Sequence, residues 1–184
     1  PYDVFLAADR ERPQRLADAD LVLDGTLRPY VRGRLLLVSY AEDVKDDQCR
    51  AADVRANPGY LAIANPATAP YGRAAREYLE REGLWQVLED RIVIGENINQ
   101  AFQFTITGNA TFGIVARSQP AAVPDKEPSC AVGIPADSHE PVEQYLAVMR
   151  RSKWPREATA FADFLRGELA ARIMADSGYE LAPL

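Results

Sequence analysis

The segment ANPATAPYGRAAREYLEREG (64–83), entered directly from the apolar run YLAIA (60–64), decides the fold. A short apolar strand leaves through Asn65-Pro66 and re-enters regular structure at Ala69-Pro70-Tyr71-Gly72. Pro70 pre-sets the backbone for a helix entry and needs no N–H there. Ala74, Ala75, Tyr78 and Leu79 then recur at helical spacing, and Gly83 supplies the stop. The first turn contains no carboxylate. Its backbone N–H groups, at the positive end of the helix macrodipole, suit an anion. Such a start, taken alone, is more often an ordinary terminus facing water or a capping side chain.

The same grammar recurs in RIVIGENINQAFQFTITGNATFGIVARSQ (91–119): strand, Gly95-Glu96-Asn97 turn, helix, Gly108-Asn109 stop, strand. Asn97 is a good N-cap, which makes Ile98, Asn99 and Gln100 the first helical turn. If this strand runs parallel to YLAIA in one sheet, both helix starts lie beyond the carboxyl ends of strands, where open α/β sheets place their ligands.

Further out, short apolar runs at 2–8, 34–40, 60–64, 91–95, 112–116, 131–134 and 144–149 read as strands. Helical patterns lie near 10–18, 71–82, 97–107 and 156–176. The last carries Phe161, Phe164, Leu165, Leu169 and Ile173 at helical spacing and Gly178 as its stop. The proline-bearing stretches 117–129 and 134–143 read as connections. This alternation predicts an α/β architecture, in its plainest form one doubly wound domain.

With 184 residues, 47% of them hydrophobic, the chain can bury a sizeable core as one large or two small domains. A net charge of −6 with scattered basic residues argues against nucleic acid as partner. It also means that any anion must be held by fixed local dipoles, not by overall attraction. The start, PYDVFLAADRERP, lacks the marks of a secretory signal, and no apolar run is long enough for a membrane-spanning helix. Cys49 and Cys130 stand in no metal or redox spacing; a disulfide and two thiols both remain open. An enzyme would need a nucleophile with its base, or a metal cluster. His139 is the sole histidine, in a proline-flanked turn, while Glu80-Arg81-Glu82 and Asp46-Asp47 read as solvated charge.

AIANPATAPYGRAAREYLE, GENINQAFQFTITGNATFGIVARSQ, PADSHEPVEQYLAVM and the opening PYDVFLAADRERPQRL resemble the periplasmic molybdate-binding proteins, the substrate-binding subunits of molybdate ABC transporters. The resemblance covers nearly the whole chain. It implies the type II periplasmic-binding-protein fold: two α/β lobes, 1–36 with 144–184 and 37–143, joined by crossovers at LLLVSY and EQYLAVM, with an oxyanion held in the cleft between them. It further implies no enzymatic activity and no cofactor, molybdate or tungstate as ligand, a membrane permease as partner, a periplasmic or extracytoplasmic location and a monomer. Carried over residue by residue, Tyr71 and Ile98 fall at the anion-touching helix starts and would act through main-chain N–H, with Gly72, Asn97 and Asn99 beside them. Some members add a tyrosine hydroxyl where this chain has Ala116. In the family two βα units, roughly 50–60 residues by the size of such units, precede the strand matching PYDVFLAAD, so the first lobe is expected to be incomplete here. Sulfate or another oxyanion as ligand, and a ligand-sensing domain of a transcription regulator, are the alternative readings; the latter lacks any helix-turn-helix or basic segment.

Overall fold

The computed structural model describes residues 2–182. It divides into two compact units, Pro1–Gly33 with Val142–Leu184, and Arg34–Pro141. In chain order the first unit opens with strand β1 (Val4–Ala7), helix α1 (Glu11–Asp18) and strand β2 (Arg28–Gly33). The second then supplies β3 (Leu35–Ser39), α2 (Ala51–Ala56), β4 (Leu61–Ala64), α3 (Pro70–Arg81), β5 (Ile92–Gly95), α4 (Ile98–Ile106), β6 (Phe112–Ala116) and β7 (Cys130–Gly133). The first resumes with β8 (Val142–Val148), α5 (Pro155–Phe164), α6 (Glu168–Asp176) and β9 (Glu180–Leu181).

The second unit is built on a mixed sheet of strand order β5-β4-β6-β3-β7. β4 runs parallel to β5, with Ala64 level with Gly95, and parallel to β6; β3 is antiparallel to β6 and to β7. Every residue of β4 and β6 is buried. Both strands are covered on both faces, which is why they read as unbroken apolar runs instead of alternating ones. Ala62 packs with Ala101 and Ala110, while Val38 and Val115 pack with Phe102, so α4 covers one face. Leu61 and Ile63, equally buried, alternate to the other. At its far end α3 closes in a Schellman motif: Gly83 at φ 66° donates to Glu80 O at 3.1 Å and Leu84 N–H reaches Leu79 O at 2.7 Å.

Cys49 and Cys130 form a disulfide (S–S 2.01 Å), which closes the alternative left open by the sequence. Both are buried, and the bridge pins the segment leading into α2 to the first residue of β7.

The first unit is a four-stranded antiparallel sheet of order β1-β8-β2-β9. Leu146 and Val148 of β8 pack on Ala158 and Ala162 of α5, with Val4, Leu23, Tyr30 and Leu165 around them. On the same sheet the Arg32 guanidinium donates to Glu143 at 2.8 Å, and Tyr145 donates its hydroxyl hydrogen to the other Glu143 oxygen at 2.9 Å. The hydrogen bond from Arg32 is the main reason that the Glu143 carboxyl lies below its ordinary value.

The expected strands and the helices near 10–18, 71–82 and 97–107 are all present. Four details differ. The pattern at 156–176 is two helices, because the chain breaks around Gly167, whose backbone is extended. Of its apolar stripe, Leu165 packs against the core while Phe161, Phe164, Leu169 and Ile173 are exposed, and the buried residues of the two helices are Ala158, Ala162 and Ala170. Strands β2 and β9 and helix α2 were not expected: β2 is interrupted by Arg, Pro and Gly, β9 is two residues long and α2 only six. The single doubly wound domain gives way to two units, neither of them with an all-parallel sheet.

Candidate anion-binding site

The connection from β4 to α3 is organised by Asn65. Its side-chain oxygen accepts from Ala67 N–H at 2.9 Å, and its carbonyl accepts from Ala69 N–H at 2.9 Å. This brings Ala69, in extended conformation, to the N-cap position without any side-chain cap. Pro70 has no N–H, so Tyr71 is the first helical residue that carries one; Gly72 turns its own onto Ala69 O at 3.0 Å. Tyr71 and Gly72 are buried. A Cβ on Gly72 would stand 2.4 Å from the Ala64 carbonyl oxygen and 2.6 Å from the Asn65 carbonyl carbon. Only glycine lets the helix start sit this close to the end of its strand.

The second junction is shorter. A Cβ on Gly95 would lie 2.7 Å from Ala101 N, so here too backbone abuts backbone. Asn97 caps α4: its side-chain oxygen accepts from Asn99 N–H and Gln100 N–H, both at 3.0 Å. Gln100 returns the favour to the preceding turn by accepting from Glu96 N–H at 2.6 Å. Among the described residues, Ile98 N–H is the one amide of this first turn with no protein acceptor. Ile98 itself is partly exposed, Asn97 and Asn99 exposed.

These two junctions are neighbours because β4 and β5 are adjacent and parallel. The connection β4-α3-β5 steps one way along the sheet, whereas β5-α4-β6 steps back past β4. With the usual right-handed crossovers, α3 and α4 therefore cover opposite faces. The ends of β4 and β5 form a topological switch point, flanked by one helix start from each face. Neither first turn contains an acidic residue. An anion placed there meets two positive dipole ends and no competing carboxylate within the turns.

The other polar groups that the sequence singles out make ordinary local contacts. His139 Nδ1 is engaged with the Glu140 carbonyl oxygen at 2.8 Å, Glu80 pairs with Arg76 at 2.7 Å, and Arg81 donates to the Asp137 carbonyl. Among the described residues no three His, Cys, Asp or Glu side chains gather as metal ligands. No helix among them is long and apolar enough to cross a membrane.

Residues 1–180 match the family model for bacterial extracellular solute-binding proteins. The molybdate-binding protein ModA of Rhodobacter capsulatus is 35% identical over 97% of this chain and 69% of its own length. That of Azotobacter vinelandii is 36% identical over 98% of this chain and 71% of its own. The chain belongs to the ModA family of bacterial extracellular solute-binding proteins. The solved structure of the periplasmic molybdate-binding protein of A. vinelandii superposes with a TM-score of 0.87 at 31% identity, over all of this chain and 80% of that one. The periplasmic-binding-protein fold expected from the sequence is thus the fold found. ModA-family members bind solutes and are not enzymes, so His139 and the charged clusters need no catalytic role.

Within this ModA-family chain, Tyr71 with Gly72 and Ile98 with Asn97 and Asn99 occupy two adjacent junctions of one sheet. Asn97 serves as a cap, and the Asn99 amide is spent on it. Ala116 ends β6, and its N–H is taken by the side chain of Gln119 at 2.9 Å. Gln119 also donates to Ile98 O and to Asn99 Oδ1, each at 3.1 Å. Nothing in the local spacing of RSQPAAVPDKEPS singles out that glutamine, because its partners in α4 lie about twenty residues upstream.

Proposed function

We propose that this protein captures molybdate, or its congener tungstate, through the main-chain N–H groups of Tyr71 and Ile98, and delivers it to the membrane permease of an ABC transporter. The observation that carries the reading is identity of 35–36% over 97–98% of the chain with proteins named for molybdate binding. The junction geometry supports it. A tetrahedral dianion without a proton offers acceptors only, and a set of N–H donors free of carboxylates satisfies it. A protonated phosphate would bring a donor with no acceptor to meet, which is costly once desolvated. Capture by fixed dipoles also fits a protein whose net charge is −6. The disulfide fits an extracytoplasmic, oxidising location.

Calorimetric titration with molybdate, tungstate, sulfate and phosphate tests the assignment. Heat of binding with the first two, and little with the last two, is the expected result. Binding of sulfate or phosphate alone would overturn it.

A further inference from the structure

Resting on that reading, we infer that Gln119 is the positioning residue that aims the Ile98 N–H. Every polar atom of its side chain has a defined partner: Oε1 accepts from Ala116 N–H at 2.9 Å, while Nε2 donates to Ile98 O and Asn99 Oδ1, each at 3.1 Å. One end faces a donor and the other faces two acceptors, so the amide has a single workable orientation. Gln119 is itself anchored, since its N–H donates to Ala116 O at 2.9 Å. The side chain therefore ties the end of β6 to the first turn of α4 from outside the helix.

That turn is otherwise divided between two tasks. Asn97 consumes the amides of Asn99 and Gln100, leaving Ile98 N–H as the donor for a guest. The direction of that N–H depends on how the first turn is rotated, and Gln119 holds the turn by the carbonyl of the same residue and by the side chain of the next. The packing of α4 on its sheet does not depend on this tie. It rests on Ala101, Phe102 and the buried Thr105, none of which Gln119 contacts through a hydrogen bond. Loss of the tie should loosen the donor and leave the helix in place.

The test uses the whole chain and compares wild type with Gln119→Leu, which deletes the hydrogen bonds, and Gln119→Glu, which sets a carboxylate against two oxygens. Molybdate affinity is measured by calorimetry, stability by urea unfolding without ligand, and the Ile98 amide by ¹⁵N–¹H correlation spectra with and without molybdate. In wild type the Ile98 cross-peak should move on saturation more than those of Asn99 and Gln100. Gln119→Leu should weaken binding about ten-fold with a much smaller effect on the urea midpoint, and Gln119→Glu should weaken it further. The ligand-induced movement of the Ile98 peak should shrink in both. Variants that bind as tightly as wild type would overturn the inference and leave the proposed function standing. So would a loss of affinity with the Ile98 response intact, since that marks a merely structural role. A wild type that binds neither molybdate nor tungstate would overturn the proposed function, and the inference with it. Should Gln119→Glu fail to fold, the leucine variant decides.

Discussion

The two units spend their apolar residues differently. In the inserted unit the central strands β4 and β6 are buried on both faces, two helices and a disulfide close around them, and the exposed large apolar residues are Tyr60, Val87, Ile94 of the edge strand β5 and Val132. In the discontinuous unit one antiparallel sheet packs on α5 through alanines, and Trp154, Phe161, Phe164, Leu169, Ile173 and Leu181 stay exposed, as do Tyr2 and Leu6 near the edge strand β1. Hydrophobic periodicity reports which residues share a face; it does not report whether anything lies on that face.

The largest expected effect bears on the better-covered unit. Cys49 and Cys130 are separated by 81 residues, and closing a loop of that size stabilises by about 4.5 kcal/mol on the chain-entropy model, with measured bridges more often giving about 2–4 kcal/mol. Replacing both cysteines by serine should lower the urea stability of the inserted unit by about 2–4 kcal/mol. If stability is unchanged, the coverage of this sheet owes nothing to the bridge. Next come the junction glycines. Gly72→Ala or Gly95→Ala drives a methyl group into backbone and should cost about 1–3 kcal/mol and weaken anion binding. Gly133→Ala, where a Cβ meets nothing within 4 Å, is the matched control and should do neither. Equal effects at all three positions would show that backbone contact at the junctions is not what matters.

How much of this was legible in the sequence follows from the same contrast. Strands β4, β5 and β6 and the helix starts after β4 and β5 announce themselves through proline, asparagine and glycine at fixed places beside apolar runs. The two junctions are therefore readable from residue type and spacing. Their adjacency is not, since it depends on β4 and β5 pairing in parallel. Gln119 was invisible because its role is a reach across the fold. Strand β2 hid because Arg28, Pro29, Arg32 and Gly33 break its alternation, although Val31 is buried in it. The α5–α6 stripe marks a helix but not its packed face, because Ala158 and Ala162, with Leu165 beside them, are what let the helix approach β8.

Two smaller effects sharpen the picture of the first unit. Burial, and after it the neighbouring Tyr179, pushes the Tyr30 hydroxyl up to about 12, and that hydroxyl donates to Gln144 at 3.0 Å. A folded-state value above the unfolded one means that Tyr30 contributes fully below about pH 10, the ordinary tyrosine value, and its contribution is lost as pH rises toward about 12. Tyr30→Phe should flatten the pH dependence in that window; a fluorescence-monitored titration showing identical profiles would remove the residue from the account. The smallest effect belongs to the bare helices. Phe161→Ser and Ile173→Ser should shift stability by no more than about 0.5 kcal/mol, as surface positions do. A loss of several times that would mean that these side chains are covered in solution.

Strand β8 pairs with both β1 and β2, so the first sheet needs residues from both sides of the inserted unit, while the second is complete within Arg34–Pro141. For a polypeptide that emerges from its amino end, the order of maturation is thereby constrained. β1 and β2 must wait, unpaired with each other, until more than a hundred further residues have appeared, and the inserted unit can be finished before its host.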